Sequence, residues 1–195
     1  MKQIVLASNN KHKIKEFREI LSDCEIYSLE DVYYTEDIEE NGNSFFENAM
    51  IKAKVVSEYL KKKSVFVPVI ADDSGLCVES LNGAPGIYSA RYSGDHDIVA
   101  NRAKLQKELA NKDNRNAYFN CTLVELYPDG TYITAEGKTH GLITKDERGD
   151  KSFGYDCVFY SNDLKKTFGE ASAEEKNMVS HRRRAIEQLK ELRNR

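Results

Sequence analysis

The run Val65–Ala71 constrains the fold most, because it is nearly all apolar and rich in β-branched residues. Such a run predicts a strand in the interior of a sheet that is covered on both faces. We expect this strand to end abruptly at residues 72–75, two aspartates followed by Ser and Gly, and Leu76–Val78 is consistent with another short strand. In α/β sheets, ligands bind at strand ends of this kind, so residues 72–75 form a candidate functional segment.

The rest of the chain predicts the same class. Lys2–Ala7 is typical of a short buried strand, and it is followed by the polar loop 8–13 and a helix with an apolar face. The other predicted elements are a strand at Glu25–Leu29, a helix behind a capping box at Ser44–Glu47, a helix through Ile98, Leu105 and Leu109, a hairpin of Ala117–Leu126 and Thr131–Ala135, and a helical tail from Ser172 to Arg195, either continuous or divided at Ser180. Strand–loop–helix units combined with a hairpin predict an α/β fold, a central mixed sheet flanked by helices, in one domain over residues 1–195.

Composition and charge exclude several classes of protein. With 40% hydrophobic and 31% charged residues in a chain of 195, the composition is globular rather than disordered. A net charge of −3 gives no support to duplex nucleic-acid binding. The apolar N-terminal run is too short for a signal sequence or a membrane span, and the four cysteines have no metal-finger spacing. We therefore expect a soluble, cytoplasmic protein with reduced, partly buried thiols.

Two acidic segments are candidates for metal binding. Asp72 and Asp73 are adjacent carboxylates, which repel each other unless a cation or a shared proton compensates. Hard oxygen ligands suit Mg²⁺, which also binds substrate phosphates. Glu39 and Glu40 form a second pair, just before a predicted helix. The alternatives are an ordinary turn for the first pair and a solvated loop for the second.

Three polar segments are candidates for nucleotide binding. The loop between the first strand and the first helix offers backbone amides and lysines to an anion, although it lacks the glycines of a Walker loop and many such loops bind nothing. Residues 153–156 combine an aromatic ring, a glycine and a carboxylate, which suits base recognition but also a strand entering the core. Lys176, His181 and Arg182 are cations that would bind phosphate oxygens, unless they form a solvated basic helix face.

In their order along the chain, these segments resemble the inosine triphosphate pyrophosphatase family, the non-canonical purine nucleoside triphosphate pyrophosphatases. The resemblance extends from the first predicted strand to the last predicted helix. The segments that carry it are Ser8-x-Asn10-x-x-Lys13, Glu39 before Gly42, Ser44-Phe45-x-Glu47-Asn48-Ala49, Ala71-Asp72-Asp73-Ser74-Gly75-Leu76, Gly83-Ala84-Pro85-Gly86-Ile87-Tyr88-Ser89-Ala90-Arg91-Tyr92, Phe153-Gly154-Tyr155-Asp156 and Ser180-His181-Arg182.

The resemblance implies an elongated α/β fold with two lobes and a deep cleft between them, a homodimer, and a Mg²⁺-dependent hydrolase. The implied reaction splits ITP, dITP and XTP between the α and β phosphates, giving the monophosphate and pyrophosphate. Asp73 is implied as proton acceptor and, with Glu39, as metal ligand. The implied substrate-binding residues are Ser8, Asn9, Asn10, Lys11, His12 and Lys13 for the triphosphate, Ser74, and Phe153, Gly154, Tyr155, Asp156, Lys176, His181 and Arg182 for the nucleoside.

The chain departs from the family pattern at a few positions. Asn9 and His12 occupy loop positions where many relatives have glycine, residues 150–152 replace a glycine-rich lead into the aromatic segment, and Cys157 stands where proline is common. Three rival functions remain open at this stage: a pyrophosphatase for modified pyrimidine or methylated nucleotides, a nucleotide sensor without turnover, and an RNA- or DNA-binding protein. The gathered carboxylates disfavour the sensor, because a phosphate-binding protein gains little from negative charge without a catalytic metal.

Overall fold

The computed structural model describes residues 1–94 and 96–194. The strands are β1 (Lys2–Leu6), β2 (Cys24–Tyr27), β3 (Val69–Val78), β4 (Asn116–Leu126), β5 (Tyr132–Ile143), β6 (Phe159–Ser161) and β7 (Lys166–Thr167). The helices are α1 (Lys11–Ile20), α2 (Phe45–Lys62), α3 (Ile98–Glu108), α4 (Ala173–Val179) and α5 (His181–Arg193), with short 3-10 helices at Glu79–Leu81 and Gly86–Arg91. None of the described helices combines the length and the apolar character that crossing a bilayer requires.

The described strands form one seven-stranded sheet in the order β2-β1-β3-β4-β5-β6-β7. At one end β2, β1 and β3 are parallel, with Ile4 opposite Ile26 and Val5 opposite Val69. At the other end β5, β6 and β7 are antiparallel. Parallel neighbours need a crossover, which α1 provides between β1 and β2, whereas a tight turn joins β4 to β5. The predicted α/β class with a mixed sheet is confirmed.

The chain divides into two compact units. Unit 1 comprises Met1–Asp73, Cys121–Gly137 and Arg183–Arg195, and unit 2 comprises Ser74–Asn120 and Lys138–Arg182. Unit 1 contains two apolar clusters, one around Phe17 and Leu189 and one around Val56 and Val69. Unit 2 contains one, centred on the fully buried Phe159. All four cysteines are buried and free of disulfides, as predicted.

Strand β3 begins later in the chain than its sequence predicts. Val65 and Phe66 were expected in this strand, but they lie outside it and are 38% and 65% exposed. The amide of Val65 still donates to the Leu60 carbonyl at 3.0 Å, so these residues complete the end of α2. The strand begins only at Val69, where pairing with β1 starts, and it continues without a break to Val78. Residues 72–75 are therefore in the middle of a strand, not in a loop after it.

Other element boundaries also differ. Helix α1 begins at Lys11, so residues 11–13 are in its first turn rather than in the preceding loop. The Ser44 hydroxyl caps α2 as predicted, but the Glu47 carboxylate accepts from the Asn43 amide instead of closing a capping box. The box at Ser172 is complete. The tail forms two helices separated at Ser180, and its last residue, Arg195, is outside the described residues.

Candidate functional site

Asp72 and Asp73 do not act as a carboxylate pair, because they have different partners. Successive side chains of a strand point to opposite faces of the sheet. Asp72 is 2% exposed, and its carboxylate oxygens lie 2.9 and 2.8 Å from the Lys13 ammonium. Asp73 is half-buried and accepts a hydrogen bond from Asn48 in α2. The strand thus separates two charges that are adjacent in sequence, and Lys13 neutralises the one that is more deeply buried.

Asn48 links Asp73 to the loop before α2. Its side-chain nitrogen donates to the Asp73 carboxylate at 3.0 Å, and its side-chain oxygen accepts from the Gly42 amide at 2.9 Å. Asn48 is buried while Gly42 and Asp73 are half-buried, so both hydrogen bonds are partly shielded from water. A Cβ on Gly42 would lie 2.6 Å from the Glu47 Cβ and 2.8 Å from the Asn48 oxygen, so only glycine fits there. The close approach of this loop to the helix therefore fixes the amide that holds Asp73.

Lys52, one helical turn beyond Asn48, places a positive charge between two acids. Its ammonium lies 2.7 Å from the Glu40 carboxylate and 3.9 Å from the Asp73 carboxylate. Burial raises the pKa of Asp73 above its ordinary value, and Glu40 and Asp72 act in the same direction. Lys52 and the Asn48 hydrogen bond oppose this rise in pKa. The half-buried Asp73 carboxylate is a hard oxygen donor of the kind that binds Mg²⁺.

The described carboxylates do not enclose a metal ion by themselves. Within residues 1–94 and 96–194, no three His, Cys, Asp or Glu side chains gather into a group that could hold one. Mg²⁺ is usually bound through one or two carboxylates, with waters and substrate phosphates completing its shell. Asp73 with one neighbouring glutamate fits this pattern. Of the two candidates, Glu40 already pairs with Lys52, whereas Glu39 is exposed on the same loop and makes no hydrogen bond or ion pair with another described residue.

Residues 8–13 form a capped helix start. The Asn10 side chain is the N-cap of α1 and accepts from the amides of His12 and Lys13. The Ser8 hydroxyl accepts from the Asn10 amide at 3.1 Å, and the Asn9 side chain accepts from the Glu30 amide at 2.8 Å. Asn9 therefore holds a neighbouring loop in place, which a glycine at this position would not do. Lys11 and His12 are exposed in the first turn of α1.

In unit 2, the structure brings Phe153, Asp156 and Lys176 together. The Asp156 carboxylate is buried and receives a hydrogen bond from the Lys176 ammonium, which also lies 4.7 Å from the Phe153 ring centroid. Burial raises the pKa of Asp156, and Lys176 opposes this rise. The Phe153 ring is 56% exposed. The exposed Phe153 ring is suited to stacking on a base. The Lys176 ammonium beside it is suited to donating a hydrogen bond to the edge of that base.

The other predicted residues of unit 2 are placed as follows. Tyr155 is buried, and its hydroxyl donates to the Ser89 carbonyl at 2.8 Å, so it anchors residues 153–156 to the 3-10 helix Gly86–Arg91. The His181 ring is buried and stacks on Phe119, with centroids 5.1 Å apart. Phe119 stacks in turn on Phe168, over which Lys176 also lies. Gly154, Ser74 and Arg182 are half-buried.

Two residues of the network around Asp73 were missed as site residues. Asn48 and Lys52 face Asp73 from one side of α2, and Lys52 also pairs with Glu40, which the sequence had offered as a candidate metal ligand. Their spacing of four residues on a capped helix was the available signal, but it does not reveal which strand faces the helix.

Comparison with known proteins identifies the family of this chain. The model of the Ham1 family matches residues 4–192. The dITP/XTP pyrophosphatase of Clostridium perfringens is 49% identical over 198 residues, which cover 98% of this chain and 97% of that protein. The dITP/XTP pyrophosphatase of Bacillus subtilis is 42% identical, over 98% of this chain and 97% of that protein.

Solved structures agree as well. The Staphylococcus aureus Ham1 protein superposes with a TM-score of 0.88 at 40% identity, covering 99% of this chain and 98% of that one. A HAM1 protein from Coxiella burnetii superposes with a TM-score of 0.90 at 35% identity, covering 100% of this chain and 99% of that one. These matches confirm the resemblance drawn from the motifs. The chain belongs to the Ham1 family.

Proposed function

We propose that this protein hydrolyses non-canonical purine nucleoside triphosphates, ITP, dITP and XTP, to the monophosphate and pyrophosphate. Its biological effect is then to remove deaminated purines from the nucleotide pool. The support comes from relatives named dITP/XTP pyrophosphatase that match over nearly their full length. The single structural observation that carries the proposal is the half-buried Asp73 carboxylate, held by Asn48 and flanked by Lys52.

Asp73 is proposed to accept the proton of the attacking water. Proton acceptors work best when their pKa approaches the working pH, and burial raises the pKa of Asp73 in that direction. The Asn48 amide donates to one oxygen of the Asp73 carboxylate at 3.0 Å, and the Lys52 ammonium lies 3.9 Å from the other. This arrangement presents an oriented base at a rigid strand, which keeps the reacting atoms aligned.

The triphosphate is assigned to Ser8, Asn9, Asn10, Lys11, His12 and Lys13, at the start of α1, where the helix N-terminus favours an anion and the Lys11 side chain is exposed. The Asp72 carboxylate binds the Lys13 ammonium, and this ion pair fixes the position of the ammonium. Fixed cations stabilise the charge that develops on phosphate oxygens during phosphoryl transfer.

We assign the nucleoside to Phe153, Gly154, Tyr155, Asp156, Lys176, His181 and Arg182, with Ser74 as a further substrate contact. A 6-oxo purine accepts a hydrogen bond where adenine donates one. A fixed cation such as Lys176, beside the Phe153 ring, favours the oxo group and leaves the amino group of adenine without a partner. This difference in hydrogen bonding supports selectivity for hypoxanthine and xanthine over adenine.

Mg²⁺ is the proposed cofactor, with Asp73 and Glu39 as its protein ligands. The hard oxygen donors of these two carboxylates fit this ion. When bound, Mg²⁺ neutralises the polyphosphate and polarises the phosphoryl group. We further propose that the protein acts in the cytoplasm as a homodimer, with the nucleotide as its partner rather than a nucleic acid or a membrane.

The direct test is pyrophosphate release from ITP, dITP, XTP, GTP and ATP, measured side by side with Mg²⁺ and with chelator. We expect fast, metal-dependent release from the first three nucleotides. Asp73→Asn keeps the shape of the side chain but removes the base, and should lower kcat ~10²–10⁴-fold. The matched control is Asp129→Asn, in the β4–β5 turn, where the carboxylate accepts from the Thr131 amide at 2.9 Å; it should keep the wild-type rate.

The other outcomes would change either the proposed function or the proposed role of Asp73. Release from modified pyrimidine or methylated nucleotides alone would replace the purine assignment with the pyrimidine one. Nucleotide binding without release in any condition would indicate a sensor. Wild-type activity in Asp73→Asn would refute the role of Asp73 while leaving the substrate class intact.

A further inference from the structure

Arg102 is a nearly buried arginine that lies outside the residues assigned so far. It is in α3 and is 3% exposed. Its Nε donates to the Glu147 carboxylate at 2.8 Å, and one terminal nitrogen donates to the Gly154 carbonyl at 2.9 Å and to the Lys151 carbonyl at 3.4 Å. Burying a guanidinium costs free energy unless its N–H groups have hydrogen-bond acceptors. The three acceptors supply these hydrogen bonds, and their directions fix the orientation of the guanidinium.

These contacts tie α3 to the chain that leads into the aromatic segment 153–156. Glu147 lies at the start of that lead, and its second oxygen is 3.3 Å from the Lys151 ammonium. Within the lead, the Asp150 carboxylate accepts from the Ser152 amide at 2.8 Å. The guanidinium of Arg102 contacts residues on both sides of Asp150–Ser152, namely Glu147 before it and Gly154 after it.

Within the segment, the Asp156 amide donates to the Phe153 carbonyl at 3.1 Å, and the anchors to other parts of the chain hold its C-terminal part. The Tyr155 hydroxyl donates to Ser89, and the Asp156 carbonyl accepts from the Gly169 amide at 2.9 Å. Arg102 instead binds the carbonyl of Gly154, directly after Phe153. Because the Phe153 ring is more than half exposed, side-chain packing does little to fix it, and its main chain must do so. Gly154 has a φ of 45°, in the left-handed region, and this unusual backbone conformation sets the direction of the carbonyl that Arg102 binds.

We propose that Arg102 is a positioning residue for substrate selectivity. Arg102 holds the peptide after Phe153 and thereby keeps the Phe153 ring in position beside Lys176. The purine base is proposed to bind at this ring. This inference rests on the proposed function. The planar guanidinium reaches the carboxylate and the carbonyl at once, which a lysine ammonium on a flexible stem does not do.

The test compares Arg102→Lys and Arg102→Met with the wild-type protein. For both variants we expect the KM for ITP to rise ~10-fold with a smaller change in kcat, since loss of one hydrogen bond from a charged donor is of that size. The ratio of kcat/KM for ITP to that for ATP should fall by a similar factor. Hydrogen exchange of the ligand-free protein, followed by mass spectrometry, should become faster in peptides that contain residues 150–156.

Arg115 provides the matched control. Its guanidinium also packs beside α3 and donates to main-chain carbonyls, at 2.6 Å to Ile143 and 3.1 Å to Leu109, but it does not contact the segment 153–156. Arg115→Met should lose stability while keeping the KM for ITP, the preference over ATP and the exchange rates at 150–156. Folding of each variant is checked by its thermal midpoint, and Arg102→Lys serves if Arg102→Met does not fold.

The possible outcomes separate the two proposals. Wild-type KM, selectivity and exchange in a folded Arg102→Lys or Arg102→Met variant refute the positioning role and leave the proposed function intact. Equal changes in the Arg102 and Arg115 variants also refute it, because they indicate a general loss of rigidity. Absence of pyrophosphate release by the wild-type protein refutes the proposed function, and the role in selectivity falls with it.

Discussion

Replacing Asn48 by Leu tests whether this amide positions Asp73. Leu has a similar volume but removes both the donor to the carboxylate and the acceptor of the Gly42 amide. A hydrogen bond to a charged group contributes about 2 kcal/mol, and leaving a buried backbone amide unpaired costs about 2 kcal/mol. Burial of the Leu side chain offsets about 2 kcal/mol of this. We expect a net loss of about 2 kcal/mol, which corresponds to a fall in Tm of about 4–8 °C for a chain of this size.

The effect on catalysis should exceed what this loss of stability explains. Partners that orient a metal-binding carboxylate typically change metal affinity or activity ~10–100-fold when they are removed. Asn48→Leu should therefore lower kcat, or raise the Mg²⁺ concentration for half-maximal activity, by that factor. The assay is pyrophosphate release from ITP over a Mg²⁺ titration, at a temperature well below the Tm of the variant.

Asn101 provides the matched control for this substitution. It is also a buried helical asparagine, and its side-chain oxygen accepts from the Ser93 amide while its nitrogen donates to the Ala90 carbonyl at 3.0 Å. Asn101→Leu should cost a similar amount of stability but leave kcat and the Mg²⁺ requirement unchanged. If Asn48→Leu loses stability and keeps wild-type values of both, the amide does not position Asp73 and the reasoning is wrong.

Three further predictions concern stability. Gly42→Ala should cost about 1–3 kcal/mol in urea unfolding, because its Cβ would lie 2.6 Å from a neighbouring side-chain carbon, and an unchanged midpoint would show that the loop adapts freely. Arg193→Met should cost about 3–5 kcal/mol, because it removes the guanidinium that pairs with the fully buried Glu125 carboxylate at 2.6 Å and leaves Lys2 at 3.5 Å and the Tyr127 hydroxyl as its partners. Adding Glu125→Gln should recover part of this loss, and a cost of the single variant under about 1 kcal/mol, as for an exposed ion pair, would contradict the prediction. The hydrogen bond from Arg102 lowers the pKa of Glu147, so its stabilisation is present above the ordinary glutamate pKa of about 4.3 and is lost as the pH falls through the lower folded value. Glu147→Gln should therefore make Tm less sensitive to acid in this range, and parallel curves for the two proteins would disprove the coupling.

The local signals in the sequence were sufficient for most elements. The N-cap of α2 at Ser44, the capping box at Ser172 and the turn between β4 and β5 depend on neighbouring residues only, and the structure contains each of them. Hydrophobic spacing likewise identified the buried face of α1 through Phe17 and Leu21. The order of the motifs identified the family, because motif order is itself a property of the sequence.

The sequence alone did not predict the element boundaries that are set by strand pairing. Val65 and Phe66 have the apolar, β-favouring character of a strand, yet they are exposed after the end of α2. The start of β3 is decided by where β1 lies opposite it, at Val69, and pairing between distant segments leaves no mark on either one alone. The same pairing carries Asp73 into the middle of a strand, where its side chain faces α2 rather than solvent.

The chemistry of the site depends most on tertiary structure. The sequence identified Asp73 as a candidate, but its surroundings come from Asn48, Lys52 and the loop at Gly42, which only folding brings to it. Arg102 is similar: in the sequence it is one more cation on a polar helix, and only packing buries it against Gly154. Residue type thus determined which groups are able to react or bind. Burial and long-range hydrogen bonds decided how these groups are oriented and charged, because both depend on contacts between segments far apart in the chain.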